Sequence, residues 1–443
     1  MKHLIILAVL SFSISLYSQK ESTNKGETNF TDLHKKQIID SLNKKLEEFY
    51  IRPNITLVIK KKLSENYKKG LYKNALNPTE FALKLNTDLL EISKDLHFRV
   101  MYDPQWTESQ QKNTDAETQK KIKAQQLTDA KKKNFGFQQA RILEGNIGYL
   151  EFNYFEDPAI ASETAAAMMQ VLNNTEALII DLRKNNGGVM EMGQFISSYF
   201  FSDKELPLYK YYYYEKDRKK IEREMWLLPS VPGKRLDSID IYILTSGATF
   251  SAAEWMSYSL QNLKRVTIVG EKTAGGAHPI DRKVLPNGFS VNIPFGEIKD
   301  PVTNLDFEGK GVQPDVLCKS EEAINTSHLL ALQKLMSKNK DSLNDIKWVI
   351  PIIKNRQNPI NVDPLLLKSY QGKYGKAELI YETNNLYYKW NNRTSFLLTP
   401  LEQDLFMVDG IDTFRIKIIS EEKSIKGIKR IYEDGQEIFY SKD

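Results

Sequence analysis

Between residues 146 and 270 short apolar runs and helix-patterned stretches take turns along the chain. NIGYLEFNYF and EALIIDLR, followed later by Asp240–Thr245 and Val266–Gly270, read as strands. The alanine-rich residues 159–172 read as a helix, and so does the recurrence of Ala252, Trp255, Met256, Leu260 and Leu263 on one helical face. Alternation of this kind predicts an α/β core.

The flanks carry other patterns. Leu33, Ile38, Ile39, Leu42, Leu46, Phe49 and Tyr50 keep helical spacing, and Pro78 opens a second such run through Phe81, Leu83, Leu85, Leu89 and Leu90. A small helical domain is expected there, ending in SKDLHFRV with His97 just past a helix. The lysine- and glutamine-rich residues 107–134 read as a solvated helix or a loose insertion. LYKYYYYEKDRKK, residues 208–220, interleaves aromatics with lysines and reads as an exposed hairpin. Beyond Cys318 the alternation stops: residues 321–336 read as a helix. After residues 358–364 the runs AELIYE, NLYYKW, SFLLTP, LFMVD, FRIKII, GIKRIY and EIFYS predict a compact all-β module of about 80 residues.

At 443 residues the chain is too long for one ordinary core. Its 62 Lys+Arg against 57 Asp+Glu leave a net charge of +5 that is spread along the sequence, so nucleic acid is not an expected partner. Met1-Lys2-His3 followed by LIILAVLSFSISLY has the basic start and short apolar run of a signal peptide, residues 1–18. Removal is expected near Ser18, although Leu16 stands where a small residue is usual. The run is too short to span a membrane comfortably, so a periplasmic or extracellular protein without stable membrane insertion is expected. Cys318, the only cysteine, excludes an internal disulfide and a cysteine-cluster metal site.

TSGATFSAAE places Ser251 where a strand has ended in a glycine-containing turn and a helix begins. Unpaired N–H groups and the positive dipole end at that point favour an oxyanion, which suits a nucleophile. Ser251 with Glu254 three residues on is equally a capping box, which needs no chemistry. A serine hydroxyl needs a base. Of the five histidines, His3 lies in the signal segment, and His34 and His328 read as surface groups on helices, leaving His97 and His278. In DLRKNNGG the consecutive Gly187 and Gly188 would let backbone N–H groups approach a substrate carbonyl.

IGYLEF, LIIDLRKNNGG, TSGATFSAAE, IVGEKTAGGA and PVTNLDFEGKGVQPDV occur in an order and spacing that resembles a family of serine peptidases. That family includes the tail-specific, or C-terminal-processing, proteases and the tricorn core protease, and the modules of the interphotoreceptor retinoid-binding protein share its fold. The resemblance covers residues 135–315 and extends more weakly back to His97. It implies an α/β fold with a ClpP/crotonase-like core at 135–320. Residues 19–134 would form an N-terminal helical domain with its charged insertion, and 321–443 a linker helix and a small C-terminal β-domain.

By the same resemblance Ser251 falls on the nucleophile. Where the tail-specific branch has a lysine, this chain has Gly276, and Lys272 is off register, so a serine–lysine dyad is not expected. The chain is closer to the tricorn-like branch, in which His97 would be the base and Glu308 its orienting partner. Leu96 stands where tricorn has a serine. His278 is the alternative base. Gly187 or Gly188 and Ala252 would supply the oxyanion donors. The implied activity is hydrolysis of a peptide or protein substrate with neither cofactor nor metal. No segment of the size of a PDZ domain separates the helical region from the core. A non-catalytic ligand- or peptide-binding protein of the same fold is the alternative.

Overall fold

Every residue of Ala177–Asp181 is buried, and the alternation of a strand sends its side chains into two different cores. Leu178 and Ile180 join a cluster packed by the helices Pro158–Val171, Met190–Ser197 and Ala252–Asn262. Ala177 and Ile179 join another, packed by Ala323–Lys338 and Leu343–Gln357. The structure, a computed structural model, describes residues 30–111, 116–202, 205–214, 219–338, 343–391, 393–422 and 424–443, and the expected signal segment lies outside them.

Ala177–Asp181 is a central strand of a six-stranded sheet, ordered Val316–Leu317, Val266–Gly270, Asp240–Thr245, Ala177–Asp181, Ile147–Phe152 and Phe137–Leu143. The pairings are parallel except at Phe137–Leu143, which closes one edge as a hairpin. This is the α/β core that the sequence pattern predicts. The helix expected at 321–336 shields its second face, together with Leu343–Gln357, whose internal Pro351 conceals it from a pattern reading.

The helices Asp32–Phe49, Pro53–Lys68 and Pro78–Ser93 begin at caps the sequence supplies: Thr31, then Pro53 and Pro78 in first positions, the latter behind Asn77. Their apolar faces meet in Ile38, Leu42, Leu46, Leu63, Phe81 and Leu85. Yet Leu285, Phe289, Val291 and Ile293, nearly two hundred residues further on, complete that core. They arrive because Arg99–Tyr102 pairs antiparallel with Phe289–Pro294, which in turn pairs with Ile280–Val284. The helical region is therefore sewn to the segment that leaves the Ser251 helix.

The tyrosine-rich stretch does form a hairpin, Pro207–Tyr214 with Lys220–Trp226, and Gly296–Lys299 adds a third strand. It is less exposed than expected, since Leu208 and Tyr209 are buried and Tyr209 sets its ring edge-on to Trp255 at 4.7 Å. The charged segment folds as the helices Pro104–Gln111 and Ala116–Lys132. At the C-terminus eight antiparallel strands from Gly372–Tyr374 to Glu437–Ser441 follow one another as a meander that nearly closes on itself. Asp443 N–H donates to the Lys373 carbonyl at 3.0 Å, linking its two ends. No described helix is long and apolar enough to cross a membrane.

Phe289 is fully buried, and its ring meets those of Phe30, Phe81 and Tyr102 within 6.1 Å. Phe289→Ala should lower the unfolding free energy of this region by about 3–5 kcal/mol in a urea melt. A loss under about 1 kcal/mol would mean that the seam collapses around the gap without cost.

Candidate active site

The turn from Asp240–Thr245 into Ala252–Asn262 is tied down on the glycine loop beside it. Thr249 Oγ1 donates to the Leu182 carbonyl at 2.8 Å, Ser246 Oγ to that of Arg183 at 2.6 Å and Phe250 N–H to that of Asn185 at 3.0 Å. These contacts hold Ser251 at φ 56 and ψ −120, a region that side-chain-bearing residues avoid at a cost of about 1–3 kcal/mol. Glu254 makes the contact of the expected capping box, accepting from Ser251 N–H at 2.9 Å. It does more than cap: fully buried, it also accepts from Thr273 Oγ1 at 2.5 Å, Gly275 N–H at 2.6 Å and Gly276 N–H at 2.8 Å. Burial pushes its carboxyl above the usual range, with these donors opposing the rise. Glu254 thus fastens the loop that carries Gly276 to the mouth of the Ser251 helix.

His97 reaches the same place from the other end of the chain. Pro78–Ser93 stops at Lys94, in the left-handed region at φ 57, and Asp95 Oδ1 accepts from His97 N–H at 3.0 Å. The strand Arg99–Tyr102 starts two residues later. The buried ring lies against Phe250 with centroids 4.6 Å apart, and Nε2 is 3.3 Å from Ser251 Oγ. Gly276 makes the room. A Cβ there would come within 2.2 Å of the Phe250 ring and 2.7 Å of His97 Cε1. The imidazole thus uses the space that a side chain at position 276 would fill, while Lys272 is exposed.

Behind His97 lies a buried group of charges that local sequence does not reveal. Asp95, His97 and Glu308 each bring a polar atom within 4.8 Å of the other two. The carboxylate facing His97 Nδ1, at 3.7 Å, is Asp95 Oδ1, a residue the sequence reading passes over. Glu308, expected as the orienting partner, uses Oε2 to accept from Ala277 N–H at 2.7 Å, and its Oε1 and His97 Nδ1 are both buried without a hydrogen bond among the described residues. His278, the alternative base, faces away from the hydroxyl: Nδ1 meets Asp95 Oδ2 at 2.7 Å and Nε2 meets Arg52 at 3.3 Å. His328 is not the surface group expected but is buried, with Nε2 on the Glu144 carbonyl at 2.8 Å, whereas His34 caps a helix at the surface.

The two carboxylates respond oppositely. Burial would raise Asp95, but its bond to the His278 ring and the nearby His97 overcome this and hold it well below the usual carboxylate range. Burial raises Glu308, and the nearby Asp95 charge adds to the rise against the pull of the histidines and of Ala277 N–H. Burial would lower His278, yet Asp95 and Glu308 outweigh it and Arg52 and leave the imidazole above its ordinary value.

The glycine loop lies against the hydroxyl. A Cβ on Gly187 would stand 2.7 Å from Ser251 Cβ and 2.9 Å from Ala252 N, so only glycine fits. The Gly187 N–H itself is taken by Asn185 Oδ1 at 2.8 Å, which removes it from the expected oxyanion donors. The N–H groups of Gly188 and Ala252 have no hydrogen-bond partner among the described residues.

A depressed Asp95 stabilises the fold above its unfolded value of 3.8, and that contribution is lost as pH falls through the folded value. A raised His278 stabilises below 6.5, and its contribution is lost as pH rises through its folded value. The stability gap between the wild type and Asp95→Asn should therefore be widest between pH 3.8 and 6.5 and narrow on both sides. Urea melts across the pH range check this, and a gap that does not vary with pH would contradict the pairing.

Residues 146–318 match peptidase family S41, and residues 31–134 match the N-terminal domain of Peptidase_S41 in eukaryotic IRBP. Over 175 residues the chain is 25% identical to a carboxyl-terminal-processing protease of Picosynechococcus sp., covering 40% of each chain. Over 171 residues it is 23% identical to carboxyl-terminal-processing peptidase 1, chloroplastic, of Arabidopsis thaliana, covering 38% of this chain and 33% of that one. Among solved structures it is similar to a putative peptidase from Parabacteroides merdae, with a TM-score of 0.45, 20% identity, and 67% and 96% of the two chains covered. The chain spans at most 40% of the length of these curated relatives. The two matches follow one another along the chain as the helical region and the α/β core do in the fold, and residues 146–318 are the part that matches peptidase family S41.

Proposed function

We propose that this chain is a secreted serine peptidase that hydrolyses peptide bonds through an acyl-enzyme on Ser251. The observation that carries the reading is the approach of His97 Nε2 to Ser251 Oγ, 3.3 Å, beside the unpaired N–H groups of Gly188 and Ala252. An apo distance at the edge of hydrogen-bond range is ordinary for a base that tightens on its nucleophile when substrate arrives. His97 takes the hydroxyl proton as Oγ attacks the scissile carbonyl carbon, and the carbonyl oxygen gathers negative charge between the two N–H groups. His97 then returns the proton to the departing amine. Water next gives its proton to His97 and attacks the acyl carbon, and Ser251 leaves with that proton.

During both steps the imidazole is positively charged, and the ionised Asp95 stabilises that form while Glu308 helps orient the ring. Asp95 is already ionised beside Nδ1, and the unbonded Oε1 of Glu308 supplies a second acceptor as the ring settles. Nucleophile, base and oxyanion donors all belong to the chain, so the reaction requires neither metal nor cofactor. A cleft of about 1060 Å³ borders the glycine loop at Asn186 and Val189 and is lined also by Lys123, Leu127, Tyr154 and Glu156. We infer that a peptide or protein substrate runs along this cleft to reach Ser251, which does not itself line it. The names of the carboxyl-terminal-processing relatives support substrates of that class, and residues 1–18 act as the cleaved export signal.

A fluorophosphonate probe requires no knowledge of the substrate. It should label the wild type and leave Ser251→Ala unlabelled, and His97→Ala should slow labelling by about 10²–10⁴-fold. Folded wild-type protein that never labels and never cleaves peptides would favour the ligand-binding alternative.

A further inference from the structure

The C-terminal meander has a charged residue where its apolar interior is expected. Arg430 pairs across strands with Ile416 and lies two residues from Ile428, both fully buried in the module's core, so its side chain points inward with theirs. Its guanidinium stacks on Trp390, 3.6 Å from the ring centroid, with Phe414 at 4.7 Å and Tyr388 at 5.3 Å. One Nη donates to the Tyr388 hydroxyl, while Nε is buried with no hydrogen-bond partner among the described residues. No carboxylate among the described residues forms an ion pair with Arg430.

A guanidinium carries five donors, and aromatic faces replace only part of the hydration lost when it is half-buried, as Arg430 is. Its remaining need is for a planar anion. Next to it is a cavity of about 530 Å³, walled by Tyr388, Trp390, Phe396 and Phe414, with Arg393 exposed at the rim. No acidic residue among the described ones lines it. The eight strands wound nearly into a barrel fill most of their interior with Leu379, Phe406, Ile416 and Ile428, and the cavity lies beside that packed core at Arg430.

We propose that this module binds a small amphiphilic carboxylate, its apolar body between the aromatic rings and its carboxylate on Arg430. The fork of the guanidinium matches a carboxylate in two hydrogen bonds, and one half-buried positive charge suits a monoanion. Arg393 at the rim draws the anion in. The bland alternative is that Arg430 merely plugs the end of the barrel, in which case the cavity would take acids and neutral molecules alike.

Calorimetric titration of the full chain with decanoate and with 1-decanol separates the two. Decanoate should bind at one site per chain, at least tenfold more tightly than 1-decanol. Arg430→Gln should lose at least tenfold for decanoate and leave 1-decanol unchanged. Arg393→Gln, at an exposed position that folding does not depend on, should lose severalfold for decanoate alone and keeps the test open if Arg430→Gln fails to fold. Absence of saturable decanoate binding, equal affinity for acid and alcohol, or affinity untouched by both substitutions overturns the proposal. Ser251→Ala should bind decanoate as the wild type does, so this result stands or falls apart from the peptidase reading.

Discussion

The antiparallel pairing of Arg99–Tyr102 with Phe289–Pro294 fixes where the His97 ring can go. His97 sits two residues before that strand, on a turn held by Ser93 and Asp95. The position of the turn relative to Ser251 is thus set by a strand register in which Val100 faces Val291 and Tyr102 faces Phe289. A one-residue slip would turn Val100 and Phe98 out of the apolar core they share with the three helices. The hydrophobic core of the helical region therefore does positional service for a polar site it does not line.

The polar groups at that site are satisfied in a way that ties separate loops together. Glu254 binds the Ser251 helix to residues 273–276, Asn185 binds the glycine loop to Phe152 and Phe250, and Asp95 binds the His97 turn to His278. Each is a buried acceptor or donor whose loss would leave several partners unpaired, the costly direction for a buried hydrogen bond. Within this frame two carboxylates lie near one imidazole yet are driven apart, Asp95 toward ionisation and Glu308 toward protonation. Environments that separate like groups in this manner are typical of sites where protons move.

The parts of the site that could be read in the sequence are those fixed by local chemistry. The Ser251 turn declares itself by a strand pattern, a glycine and a helical face within a few residues, and the glycine loop by its two adjacent glycines after an apolar strand. Elimination narrows the base to His97 or His278, and only the resemblance prefers His97, because its partner lies 154 residues away. Asp95, Arg52 and the surroundings of His278 are illegible for the same reason: the Asp95–His278 contact spans 183 residues, and no local pattern says which loops will meet. In hindsight the one local sign of Asp95 is its place two residues before His97, the spacing of a side-chain turn. His328 misleads because a helical position says nothing of what packs against it.

The claim on which the rest turns is that His97, carried by the strand seam, serves the hydroxyl of Ser251 opposite the N–H groups of Gly188 and Ala252. A crystal structure of the protein phosphonylated on Ser251 tests it most directly. The account predicts a phosphoryl oxygen about 2.7–3.1 Å from both N–H groups, with His97 Nε2 within hydrogen-bond reach of the ester oxygen. A phosphoryl oxygen turned to solvent, with the imidazole rotated away from Ser251, would contradict it.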